Sequence, residues 1–234
     1  MQLFILKSLK NNRFQFYDND INHILKVLRK KCGDQINAID QQNKIYILEI
    51  VGIEPFTTKL VETINQNNEY DLKINLFVGV VKKINFEWLI EKATEMHVNN
   101  IYPIYFNRTQ KSNIINLKRL QTIIDEARKQ SNRHYVVTIH EPIDFSSMLN
   151  MLNNDQLKII AYENEKNYSF NDVQIKNHNI VNLVVGSEGG FEIKEIEQLL
   201  KLKNSFSIKL TKSILRTETA CLFLLACTIN RWGK

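Results

Sequence analysis

The chain has 234 residues, 44% of them hydrophobic, with a formal net charge of +6 and a pI near 9.1. That apolar content excludes a globally disordered chain, and the length suits one large domain or an ordinary domain plus a small one. Cys32, Cys221 and Cys227 form no CxxC pair, which argues against a disulfide framework or a zinc site, and the longest apolar run, residues 220–229, is too short to cross a bilayer. A reducing, cytoplasmic location is therefore expected, with no membrane and no metal. Residues 1–70 hold nine Lys and Arg against eight Asp and Glu, so most of the positive excess lies beyond them. A basic balance of this size fits a polyanionic partner and equally an ordinary solubilising surface.

In chain order, Leu3–Leu6 is a short apolar run, and residues 13–17 alternate with Phe14 and Phe16 on one face. Residues 21–29 read as helical, and Gly33-Asp34 marks a turn. Residues 35–40, 44–52 and 57–64 read as strands. Several short strands around one helix predict a small β-barrel-like domain. The polar stretch around Asn65–Glu69 carries the predicted boundary, giving domains 1–68 and 69–234.

Beyond it the period changes. Strands are predicted at 74–81, 101–106, 136–140, 157–162, 180–186 and 205–210. Helices are predicted at 86–96, with Trp88, Leu89, Ala93 and Met96 at helical spacing, and at 116–131, 192–203 and 215–232. Strands alternating with helices predict a mostly parallel α/β sheet covered on both faces.

His23, His97, His134, His140 and His178 show no HExxH or comparable ligand spacing. GxSxG, GxxxxGK[ST] and GxGxxG are absent, which disfavours α/β-hydrolases, common nucleotide triphosphatases and common NAD-dependent dehydrogenases. Two segments stand out. Leu183–Phe191 reads LVVGSEGGF and places three of the seven glycines within five positions, directly after a buried strand. Glycines at a strand end let the backbone turn sharply and approach a ligand. A plain strand-to-helix turn accounts for the same residues. The second, Leu210–Ala220, reads LTKSILRTETA and runs from a strand through a polar loop into an apolar helix that Thr217 or Thr219 is able to cap.

Together, GSEGGF and LTKSILRTETA resemble the SPOUT methyltransferases, and more closely the bacterial RsmE-type family that methylates N3 of a uridine in 16S ribosomal RNA. His23–Arg29 with Gly33-Asp34, Lys92–Met96, Pro103 followed by Arg108, and Glu126–Arg133 also match that family's pattern, in order along nearly the whole chain. The sequence departs from it at Ser187, where proline is usual, at His97, where glycine is common, and at Thr211 and Ser213, where Gly and Arg are frequent.

The resemblance implies a PUA-like RNA-binding β-barrel ahead of a SPOUT α/β domain with a C-terminal trefoil knot. It implies S-adenosylmethionine as cofactor, held by Gly186, Glu188, Gly189, Gly190, Leu210, Ile214, Leu215, Thr217 and Thr219. Arg216, Glu188 and Glu218 are the implied catalytic residues, because a cation stabilises charge developing on uracil and a base must take the N3 proton. Lys26, Arg29, Lys30, Arg108, Gln130 and Arg133 are the implied RNA contacts, within the small ribosomal subunit. A homodimer is implied, with Ala220, Leu222, Phe223, Leu225 and Ile229 of the last helix as its apolar face, although core packing would look the same. Two other readings stay open: a SPOUT enzyme acting on another rRNA or tRNA nucleotide, and a non-catalytic ribosome-assembly protein.

Overall fold

The computed structural model describes residues 3–10, 13–42, 44–64, 69–110, 112–152, 155–174 and 178–233. The predicted boundary at 68/69 falls partly outside them. Two compact units are present, one of residues 1–69 with 125–136, the other of 70–124 with 137–234. The first unit is thus not one continuous stretch, which the division into 1–68 and 69–234 does not capture.

In the first unit, β1 (Leu3–Ile5), β2 (Ser8–Lys10) and β3 (Arg13–Gln15) precede α1 (Asp18–Asn22). The helix then widens into a π-type turn over His23–Val27 and ends where Arg29 adopts φ 53°. After it come β4 (Gln35–Ile39), β5 (Ile45–Ile53) and β6 (Phe56–Ile64). The sheet order is β1-β4-β5-β6, with β1 parallel to β4 and the other pairs antiparallel, while β2 and β3 form a separate hairpin. Alternating residues of β4 and β5, Ile36, Ala38, Leu48 and Ile50, face one core with Phe4, Phe16 and Ile24. The segment 125–136 is fixed within this unit by charge. Arg133, 1% exposed, makes a two-pronged ion pair with Glu69, with Nη2 at 2.6 Å and Nε at 3.2 Å from its two oxygens. Lys129 pairs with Asp20 at 2.7 Å.

The second unit begins with β7 (Lys73–Gly79), α2 (Lys83–Glu95), β8 (Asn100–Tyr105) and α3 (Leu117–Ser131), whose last turns belong to the first unit. It continues through β9 (Thr138–Ile139), β10 (Ile143–Asp144), α4 (Phe145–Met151), β11 (Leu157–Ala161) and β12 (Ile180–Val185). It closes with α5 (Ile193–Leu200), β13 (Ser205–Ile208) and α6 (Thr217–Trp232). The sheet order is β10-β8-β7-β12-β11-β13, with β9 beside β8, and every pairing is parallel. Because side chains alternate along a strand, Ile74, Leu76 and Val78 face one core with α2 and α6, while Phe77 faces the other with α4 and α5. An amide ladder sets the register: Asn100 donates to Asn75, Asn75 to Asn182 and Asn182 to Gln156, each at 2.9 Å.

The β10–α4 segment has no counterpart in the sequence reading. The 136–140 strand shrinks to two residues, and Trp88 is 45% exposed while Phe86, Leu89, Ile90 and Ala93 are the buried residues of α2. In α6, Cys221, Leu224 and Leu225 are fully buried in their own unit, each Leu contributing roughly 1.5–3 kcal/mol. Ala220 is also buried, Leu222 and Ile229 pack against the same core, and only Phe223 of the expected dimer face is exposed. Ile84 and Trp88, one turn apart on α2, are exposed as well.

Candidate active site

Parallel strands bring their carboxyl ends to one edge of the sheet, where α/β proteins bind ligands. At that edge the segments after β7, β11, β12 and β13 surround a cavity of about 560 Å³. Gly186–Phe191 and Leu210–Glu218, far apart in sequence, meet there. The Thr217 hydroxyl ties them by donating to the Gly186 carbonyl at 3.1 Å. Thr217 is therefore a strut between the two motifs. The N-cap of α6 is Arg216, and no side chain caps the helix.

The glycine loop is tight. The Gly190 N–H donates to the Ser187 carbonyl at 2.9 Å. Ser187 lies directly on the end of β7, where a Cβ at Gly79 would overlap its backbone. A Cβ at Gly189 would lie 2.9 Å from the Arg108 Cβ, and Arg108 Nη1 donates to the Gly189 carbonyl at 3.3 Å. A larger residue at position 189 thus strikes Arg108 before any ligand. The loop carrying Arg108 is itself pinned to the start of α5. The buried Glu195 accepts the Asn107 N–H at 2.9 Å on one oxygen and the Glu192 N–H at 2.7 Å on the other.

Of the residues singled out in the sequence, Gly186, Glu188, Gly189, Gly190, Leu210, Ile214, Leu215, Arg216, Thr217 and Glu218 line the cavity. Thr219 does not: it is exposed and outside the lining, because it falls on the outward side of the first turn of α6. Arg216 and Glu188 are exposed, and Arg216 makes no ion pair among the described residues. Glu218 is 8% exposed, and its Oε2 has no hydrogen-bond partner among the described residues. Burial first, and then the charge of Glu218, push the Cys221 thiol well up, so this cysteine is an inert core group.

The expected RNA contacts divide. Lys26, Arg29, Arg108 and Gln130 are exposed and Lys30 is half-buried. Arg133 is corrected: its guanidinium is buried, with Nε and Nη2 on the Glu69 carboxylate, which leaves it no face open to RNA. Sequence reading missed Lys82, Asn85, Tyr162, Glu163 and Lys209, which also line the cavity, and Gly79 beneath it. A glycine and an acidic residue at the carboxyl ends of two predicted parallel strands were the available signals. His97 occupies a left-handed position, φ 57°, and packs on Tyr70 at 4.7 Å. That backbone requirement is the physical reason a glycine suits the position. Thr211 donates to the Ser213 carbonyl at 2.6 Å, and Ser213 is exposed.

Residues 68–229 match the RNA methyltransferase domain family and residues 16–59 the RNA methyltransferase PUA domain. The chain is 35% identical to the ribosomal RNA small subunit methyltransferase E of Mesomycoplasma hyopneumoniae, over 98% of this chain and 100% of that one. It is 27% identical to the protein of the same description from Rickettsia conorii, over 89% and 86%. The crystal structure of a ribosomal RNA small subunit methyltransferase E from Neisseria gonorrhoeae bound to S-adenosyl methionine superposes with a TM-score of 0.88 at 26% identity, covering 100% and 98%. The chain belongs to the RNA methyltransferase family, with a PUA-like unit ahead of a SPOUT-like parallel α/β unit.

Proposed function

We propose that this protein is an S-adenosylmethionine-dependent methyltransferase that modifies N3 of one uridine in the 16S rRNA of the small ribosomal subunit. The observation that carries the reading is the convergence of the glycine loop, Arg216 and the unpartnered Glu218 carboxylate on one cavity at the ligand-binding edge of a parallel sheet. The related proteins support it, being described as small-subunit rRNA methyltransferases, one of them bound to S-adenosyl methionine.

The residues fit that cofactor. Leu210, Ile214 and Leu215 give an apolar wall suited to a purine, and Gly186, Gly189 and Gly190 let backbone approach it. When bound, S-adenosylmethionine supplies a methyl group on a sulfonium. The protein must then make N3 of uracil a nucleophile, since that nitrogen carries a proton at neutral pH. Arg216, always charged and free at the cavity rim, balances negative charge on O2 or O4 as the proton leaves. Glu218 takes the N3 proton, and Glu188 at the exposed side is the second candidate.

The motif segments 183–191 and 210–220 thread into a trefoil knot in this reading. Residues 1–68 grip rRNA through Lys26, Arg29 and Lys30, and Arg108 and Gln130 add contacts. The working form is a cytoplasmic homodimer that covers Phe223 of α6 and the Ile84 and Trp88 stripe of α2. No helix among the described residues is long and apolar enough to cross a membrane.

The test is methylation of small subunits taken from cells that lack the protein, followed by mass spectrometry of the digested rRNA. A single new N3-methyluridine is expected. A methyl group on ribose or on another base contradicts the N3 assignment, and no transfer by folded, cofactor-bound protein favours the assembly-factor reading.

A further inference from the structure

Glu163 lies two residues beyond the end of β11 and is half-buried in the wall of the same cavity. Its carboxylate makes no hydrogen bond or ion pair among the described residues. One of its oxygens, Oε1, lies 2.9 Å from where a Cβ at Gly190 would stand, and Gly190 itself adopts φ 67°. The glycine therefore leaves the space that this carboxylate fills. Half-buried in the cavity wall, the carboxylate offers its acceptor oxygens to solvent or to a ligand that supplies donors.

Its place in the sheet says which donors. β11 lies between β12 and β13, so Glu163 sits between the glycine loop after β12 and the apolar wall Leu210–Leu215 after β13. The end of β11 is tied to β13 by the Tyr162 N–H, which donates to the Ile208 carbonyl at 3.0 Å. A purine against Leu210 and Leu215 has its ribose as the next group along, whereas the amino-acid end of the cofactor lies several bonds further. Lys82 and Asn85, at the β7 side of the cavity, are on the far side of the glycine loop from Glu163. A ribose offers two vicinal hydroxyl donors, and a carboxylate offers two acceptor oxygens at matching spacing. A strand-end acidic residue reads ribose in dinucleotide-binding folds for the same chemical reason.

We propose that Glu163 accepts hydrogen bonds from the ribose diol of the adenosine cofactor and makes the site selective for ribosides over deoxyribosides. This rests on the cofactor reading given above.

The test is calorimetric binding of S-adenosylmethionine, of uncharged 5′-methylthioadenosine and of 2′-deoxy-5′-methylthioadenosine to the full chain, for wild type, Glu163→Gln and Glu163→Asp, with melting temperatures alongside. Wild type should prefer the riboside to its 2′-deoxy analogue by about tenfold to a hundredfold, the range for a hydrogen bond to a charged group. Glu163→Gln should weaken the riboside by about that factor and the deoxy compound, which keeps only one of the two hydroxyls, by less, narrowing the preference. Equal binding of the two nucleosides by wild type overturns the proposal without any variant. So does a Glu163→Gln protein that loses S-adenosylmethionine but binds 5′-methylthioadenosine normally, since the carboxylate would then read the cofactor's positive charge. Wild-type protein that binds none of the three overturns the cofactor reading itself, and this proposal with it.

Discussion

Arg216 and Arg133 both lie in segments that match one family's pattern, and the two units use them in opposite ways. Arg216 stands at the N-cap of α6 with its guanidinium at the cavity rim and no ion pair among the described residues. Arg133 is 1% exposed and commits its planar fork to Glu69, 64 residues earlier. A buried, doubly hydrogen-bonded pair holds a fold together, while an unpaired cation beside an open cavity is available to a substrate. Motif membership alone does not separate the two cases; the location of the counter-charge does.

The largest effect that tests this contrast belongs to Arg133→Ala. It leaves the Glu69 carboxylate buried without its partner and should destabilise the protein by about 3–5 kcal/mol in urea titration. Binding of rRNA by the fraction that stays folded at low temperature should be unchanged. Normal stability with weakened RNA affinity would return Arg133 to the RNA surface. Next is Gly189→Val, whose side chain strikes Arg108 and should cost about 1–3 kcal/mol of stability while loosening the loop and weakening S-adenosylmethionine. Pairing it with Arg108→Gly sharpens the comparison, because removal of the Arg108 Cβ that the new side chain strikes should restore part of the stability. No restoration would mean that the two residues do not meet.

Smaller changes belong to the exposed cations of the first unit. Lys26→Ala with Arg29→Ala should weaken rRNA binding and lower the slope of log affinity against log salt by about 0.7–0.9 for each phosphate that is no longer neutralised. An unchanged slope would make these residues a solvated face. The smallest effect concerns Tyr46, whose hydroxyl donates to Asp40 at 2.8 Å. Burial, and then Asp40, push its pKa up to about 12 from 10.0. The unfolded chain releases this proton first, so the contribution is complete below pH 10 and is lost between pH 10 and about 12. Tyr46→Phe should flatten stability over that window in pH-dependent unfolding, and an identical slope would place the titration elsewhere.

The parallel sheet was legible because β7, β11 and β12 are mostly apolar, broken inside only by Asn75, Lys158 and Asn182, as suits strands buried on both faces. The heart of the cavity was legible because glycine spacing and the LRTETA segment are local signals. What was not legible depends on long-range partners. The pairing of Arg133 with Glu69, the return of residues 125–136 to the first unit, and the arrival of Glu163 and Lys82 at the cavity are set by strand order. The β10–α4 segment escaped because its two-residue strand is too short to show a period, although Asp144 caps α4 by accepting the Ser147 N–H at 2.7 Å. The outward turn of Thr219 follows from where α6 begins, two residues later than the sequence pattern suggested.

Single-turnover methyl transfer from S-adenosylmethionine to small-subunit rRNA by Arg216→Ala, run beside its melting temperature and cofactor affinity, is the most direct test that the cavity performs the chemistry. The rate should fall by about two orders of magnitude or more, with folding and cofactor binding near those of wild type, and Arg216→Lys should recover little of it. A near-normal rate for Arg216→Ala would remove Arg216 from the reaction. A parallel loss of stability and cofactor binding would instead make it a structural residue like Arg133.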